Sequence, residues 1–311
     1  MGCPGCAVTP GTASDVFQRQ LLESFGDNMV GILVNPTESP YDADEMRYSV
    51  LNIVNRQAVI EVLGSNQFLS GFFDFNAPYQ SVFPFGWNAF EPFSDEEWQI
   101  VQSLLNDPSF TNEIAAYPEK RGARPFDRSA ARTANRAFQQ LGYSVSSDDG
   151  LLKDSTGGNL NLRFFNVLPH ESFGAFEQPF FTGPLRQLGV VVENVPEAVY
   201  YNGGFSAVMT TRSGPGPTVV RDFLDIFSME NDPGSKLQIV LSKITELADA
   251  YFVGKPVQSV DNVWNEVDAE AAQIHLMVRL LDKVLISESY FLPILYACKA
   301  PKADAPCRFP N

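Results

Sequence analysis

LLKDSTGGNLNLRFF (151–165), EQPFFTGPLRQLGVVVENV (177–195) and YYNGGFSAVMTT (200–211) decide how this chain folds. In the first piece, Thr156-Gly157-Gly158 is a hairpin turn, and the alternating apolar residues from Leu160 to Val167 predict a strand. In the second, Phe180, Phe181, Leu185 and Leu188 share one face of a short helix. Gly189 ends that helix, and the β-branched run Val190-Val191-Val192 opens another strand. The third piece predicts a strand from Phe205 to Met209. Strand, helix, strand, strand is an α/β unit built on a partly parallel sheet. Such a sheet is buried on both faces and takes ligands beyond the carboxyl ends of its strands. The mouth of this unit is therefore expected at Met209 to Gly216.

Outward from this unit the chain alternates helices and strands. Residues 14–26 read as a short amphipathic helix capped by Ser14, and Met29 to Asn35 as an apolar strand. After a turn from Pro36, Asp44 is the expected cap of a helix from Glu45 to about Leu63, with Gly64 stopping it. Residues 65–93 are crowded with aromatics, Pro and Gly. They form either a wall of ligand contacts or a loop pinned to the core by phenylalanines. Ser94 caps a helix to Asn106, and residues 108–125 read as loop or broken helix. Asp127 to Leu141 is a helix whose Arg128, Arg132 and Arg136 line one face, read as a solvated face. Ser213 to Pro217 is a rigid loop, and Asp222 to Phe227 a short helix. Ser235–Ala250 and Val267–Ser287 are amphipathic helices, and residues 290–296 a last strand that Pro293 confines to a sheet edge.

The 311 residues are 44% hydrophobic, enough for a full core. A net charge of −15 argues against wrapping nucleic acid or docking on anionic lipid. No apolar run reaches the roughly 18 residues of a membrane span. The start, MGCPGCAVTPGTAS, lacks a charged n-region and an apolar core, so an intracellular or already processed chain is expected.

Two histidines and four cysteines leave little material for metal sites, and neither a metal nor another cofactor is expected. Cys3 and Cys6 form a C-x-x-C that is either redox or half of a zinc motif, or simply part of a loose terminus. Cys298 and Cys307 could close a disulfide around the C-terminal tail in an oxidising compartment. The sequence has no G-x-S-x-G, H-E-x-x-H, Walker A or post-strand G-x-G-x-x-G, and no catalytic residue is assigned. A binding or structural protein is the expectation.

Several blocks taken together resemble the family 5 extracellular solute-binding proteins, the oligopeptide- and dipeptide-binding receptors of ABC importers. In ILVNPTESPYDADEMRYSVLNIVNRQAVIEVLG, the residues Asn35, Pro40, Asp42, Met46-Arg47, Asn55-Arg56 and Gly64 stand where that family has its strand, proline turn and helix. The hairpin at 142–165, the unit FFTGPLRQLGVVVENVPEAVYYN with Tyr200, the strand GGFSAVMTT, and residues 267–296 follow in the family's order. The resemblance implies an α/β, periplasmic-binding-protein-like lobe of type II, cluster C. Its mixed sheet is flanked by helices and is incomplete relative to the two-lobe receptor. It would divide the chain into an N-terminal extension (1–27), the lobe (28–296) and a tail (297–311). By resemblance the compartment is extracytoplasmic, although an organellar or intracellular complex fits the start of the chain.

Two departures shape the functional expectation. The family's first half has no counterpart here. Where the peptide receptors continue into Gly-Trp and an Asp that holds the peptide ammonium, this chain reads Thr210-Thr211-Arg212-Ser213-Gly214. An arginine there repels an ammonium and suits a carboxylate; otherwise it is a surface ion pair. The candidate ligand residues are Thr210, Thr211, Arg212, Ser213 and Tyr200. Two readings stand. One is the C-terminal half of a split peptide-binding receptor, completed by a second polypeptide. The other is a repurposed structural or accessory subunit of a larger assembly that binds no ligand. An enzyme is the least favoured class.

Overall fold

The computed structural model of the chain describes residues 28–56, 91–111, 114, 128–166, 178–213, 234–253 and 268–297. The expected helices at 14–26 and 222–227, residues 65–90 of the aromatic stretch, most of 108–125 and all four cysteines lie outside the described residues.

Seven strands are described: β1 (Asn28–Val34), β2 (Ser144–Val145), β3 (Leu152–Lys153), β4 (Asn161–Asn166), β5 (Val191–Asn194), β6 (Ala207–Ser213) and β7 (Phe291–Ala297). Five of them form one sheet in the order β5-β4-β6-β1-β7, while β2 and β3 pair as a separate hairpin. β4 runs parallel to both β5 and β6, and β1 runs antiparallel to β6 and β7. The sheet is mixed, with β1 opposed to its four companions.

Side chains alternate across this sheet with a period of two, as strand geometry requires. Ile32, Val34, Leu162, Phe164, Ala207, Met209, Leu292 and Ile294 bury on one face, and Leu33, Val208 and Phe291 on the other. Helices α1 (Asp44–Leu51), α3 (Arg128–Gln140) and α4 (Gly183–Gln187) cover the first face. Helices α2 (Asp95–Leu105), α6 (Lys236–Tyr251) and α7 (Ala269–Ser287) cover the second. A five-residue helix, α5 (Glu197–Tyr201), bridges β5 to β6. The result is three layers, helix on sheet on helix, with two cores.

Local chemistry explains most element ends. Ser94 and Glu97 form a full capping box at the start of α2, with the Glu97 N–H donating to Ser94 Oγ at 3.2 Å and the Ser94 N–H to Glu97 Oε2 at 2.8 Å. Ser235 and Asp268 cap α6 and α7 through their side chains. The expected hairpin turn is held by Asp154, whose Oδ1 accepts from the Thr156 N–H at 2.8 Å, the Thr156 hydroxyl at 2.7 Å and the Gly158 N–H at 2.9 Å. Gly189 has φ +88, and a Cβ there would meet the Gly150 carbonyl at 2.5 Å, so only glycine turns the chain into β5.

Three expectations need correction. Helix α1 is capped by Ala43 without a side-chain bond, and Asp44 is its first residue, paired instead with Arg47. It ends at Leu51 rather than near Leu63. The chain turns there, buries Ile53, Val54 and Arg56, and hands the Asn55 N–H to the Phe180 carbonyl at 3.2 Å. The helix expected around Phe180 is a π-helical turn (Gln178–Thr182) leading into α4. Pro184 has no N–H to return to the Phe180 carbonyl, and the Asn55 N–H takes that place.

Candidate functional site

The strand expected to stop at Met209 continues to Ser213, so the predicted ligand residues lie on the sheet itself rather than in a loop. Thr210, Thr211, Arg212 and Ser213 pair with Gly31, Val30, Met29 and Asn28 of β1. On the other side, pairing with β4 ends at Asn166 opposite Met209. They stand at the carboxyl end of β6, and open α/β sheets take their ligands beyond the carboxyl ends of their strands.

Tyr200 is not on β6 with the other four. It sits on α5, stacked on Phe165 with ring centroids 4.5 Å apart and planes 21° apart, and tilted against Phe205 at 5.1 Å and Tyr201 at 5.3 Å. Phe165 pairs with Val208, so Tyr200 is level with a residue about 7 Å short of Thr210 along the strand. The outermost ring of the ladder is Tyr201, 74% exposed.

Three family-like positions are structural clamps. Asn35 is buried and donates its amide to the Phe205 carbonyl at 2.8 Å and the Gly203 carbonyl at 3.2 Å. Its carbonyl oxygen accepts from the Thr37 N–H at 3.0 Å and hydroxyl at 2.8 Å. This ties the exit of β1 to the entry of β6. Arg56 donates to the Pro293 carbonyl on β7 at 2.6 Å. Arg47, 1% exposed, donates to the carbonyls of Tyr41 (3.0 Å), Asp42 (2.8 Å) and Glu288 (3.1 Å) and to the Asp44 carboxylate, with its guanidinium 4.1 Å over the Tyr290 ring.

Around Arg47 lies a carboxyl pair. Burial and the hydrogen bond to Glu288 push Asp44 up to about 6, against the pull of Arg47. Burial also works to raise Glu288, but the hydrogen bond with Asp44 and the Lys236 ammonium at 2.7 Å outweigh it and hold Glu288 below the usual carboxylate range. Tyr41, buried and donating to the Asn161 carbonyl at 2.7 Å, is raised chiefly by that burial.

A second buried cluster lies on α7. Lys283 is fully buried, donates to the Glu91 carbonyl at 2.7 Å and stands 5.0 Å from the Phe93 ring centre; burial lowers it to about 8. One turn away, Arg279 pairs with Glu97 at 2.5 Å and donates to the Pro92 carbonyl at 3.1 Å. These groups fasten the segment before α2 to the central helix. Asp282 and Lys283, adjacent charges in an apolar helical run, were visible in the sequence as a buried-charge signal. The Asp44–Glu288 pairing was not, because its partners are far apart along the chain.

The described residues also line an open cleft of 340 Å³ between the start of α1, one face of α3 and the end of α7. It lies at the end of the sheet opposite the carboxyl end of β6. Among the described residues, no group of three or more His, Cys, Asp or Glu is placed to hold a metal ion, and no helix is long and apolar enough to cross a membrane. Arg128, Arg132 and Arg136 are all exposed, as a solvated face requires.

The fold is that of a periplasmic-binding-protein-like lobe, a mixed sheet flanked by helices. No family model and no curated protein matches the chain. Solved structures do. A nickel ABC transporter protein from Bacillus halodurans matches at a TM-score of 0.50 and 11% identity, over 88% of this chain and 46% of the other. A periplasmic oligopeptide-binding protein of an oligopeptide ABC transporter from Thermotoga maritima matches at 0.50 and 14%, over 86% and 44%. A periplasmic EDTA-binding protein matches at 0.50 and 16%, over 92% and 47%. The chain thus spans about half the length of the solved proteins it matches.

Proposed function

We propose that this chain is a non-catalytic, solute-binding-protein-like subunit: the C-terminal half of a split peptide-binding receptor, completed by a partner chain and serving import by an ABC transporter. The observation that carries this reading is the fold-level match, which takes in about nine-tenths of this chain but less than half of each binding protein. The continuation of β6 to Ser213 supports its carboxyl end as the ligand end. There Arg212 receives a carboxylate of the ligand, and the hydroxyls of Thr210, Thr211 and Ser213 add hydrogen bonds. Tyr200 supports that end from behind through Phe165.

Isothermal titration of a peptide library tests the reading. The chain alone is expected to give no measurable heat, and the chain joined to its complementary half saturable binding. Arg212→Gln should then lower affinity about tenfold for peptides with a free carboxyl terminus and leave amidated peptides unchanged. Tight peptide binding by the chain alone would refute the split receptor. A second reading, a structural subunit without ligand, is favoured by the residues at 210–214, which carry neither the Trp nor the Asp of peptide receptors. A stable complex that binds no peptide would decide for it.

A further inference from the structure

The cavity at the far end of the sheet has walls of opposite charge. Thr133, Arg136, Ala137 and Gln140 face it from α3, at the i, i+3, i+4, i+7 spacing that makes one stripe of a helix. Ala134 and Phe138, on the neighbouring stripe, fill the core and fix that orientation. From α1 come Asp44, Glu45 and Tyr48. Asp44 is occupied by Arg47 and Glu288. Glu45 and Arg136 are not occupied: neither side chain makes an ion pair or hydrogen bond with a described residue, although both line one cavity. Their charged atoms therefore stand more than 4.0 Å apart, the limit of an ion pair.

Opposite charges that share a cavity without closing on each other leave a gap for a molecule carrying both charges. The space fits a small one, since 340 Å³ is near the lower end of ligand pockets, roughly 300–1,000 Å³. The exposed walls are mostly carbon, which favours an apolar body between the charged ends. Ser289, at the rim, holds φ +60 where glycine is the cheaper residue, and it contributes to the lining. We propose that this cavity binds a free α-amino acid with an apolar side chain, its carboxylate on Arg136 and its ammonium on Glu45.

The site is separate from the proposed peptide end. Thr210–Ser213 pair with the first residues of β1, whereas α1 follows the last residues of β1, and Ser289 precedes β7, whose Phe291 pairs with Leu33. Calorimetric titration of the whole chain with L-leucine is the test, with L-leucinamide and N-acetyl-L-leucine as probes lacking one charge each. Saturable one-to-one binding of leucine, with neither derivative binding, is expected. Arg136→Gln and Glu45→Gln, both at exposed positions, should each weaken it at least tenfold with the melting temperature of the free protein unchanged. Arg212→Gln should leave it intact. Absence of leucine binding, or binding equal in the wild type and both cavity variants, would overturn the proposal. Loss of leucine binding in Arg212→Gln alone would do the same and would move the ligand to the β6 end.

Discussion

Arg47 shows what a buried charge does in this fold. It is fully paired, and the acceptors it serves sit on the turn before α1, on α1 itself and on the residue after α7. Truncation to alanine leaves one buried and two part-buried carbonyls without their donor, at a cost of about 3 kcal/mol. Lysine should rescue little, since one ammonium cannot span the fork. Urea denaturation checks this, and a loss below about 1 kcal/mol would contradict the clamp. Lys283 makes a pH-dependent prediction. Its folded value of about 8 lies below the ordinary 10.5, so between these values the unfolded chain holds a proton that the folded chain has released. Stability should therefore rise with pH from about 8 towards 10.5 through this group. Thermal melts of the wild type and Lys283→Met should diverge across that window, the variant lacking the rise. Parallel profiles would show that Lys283 is not titrating there.

At the scale of elements, the tight seam between β1 and β7 rests on Gly31. A Cβ there would run into the Phe291 ring and stand 2.8 Å from the Leu292 carbonyl, beside the register shift opposite Val30 and Gly31. Gly31→Ala should cost about 3 kcal/mol, the upper end for overpacking, and loosen the edge strand. Unchanged denaturation would contradict the close approach. Ser94→Ala should lower stability by about 1 kcal/mol through loss of the capping box on α2. This scale also separates what the sequence could reveal from what it could not. The cap of α2, the turn at Thr156-Gly157-Gly158, Gly189 and the edge position of β7 among the described strands were legible because each is set by residues a few positions apart. The end of α1 was not, because the chain leaves the helical path between Asn52 and Asn55, where the Asn55 N–H goes to the distant Phe180 carbonyl. The length of β6 was not legible either: pairing with β1 carries Thr210–Ser213 four residues past the last apolar position. Of the candidate ligand residues, Thr210–Ser213 fall together on β6 while Tyr200 lies on α5, level with Val208, a separation that spacing along the chain does not show.

For the whole molecule, the order β5-β4-β6-β1-β7 between two helical layers gives each sheet face its own core and carries β6 out to Ser213 at its carboxyl end. A clamshell receptor closes its ligand between two such bodies, and one body alone leaves half of the ligand in water. Native mass spectrometry of the protein purified from its own source, with every chain identified, tests this most directly. A one-to-one complex with a second polypeptide, heavier than the 34.4 kDa of this chain, is the predicted result. A species of 34.4 kDa that retains a bound peptide through desalting would contradict it.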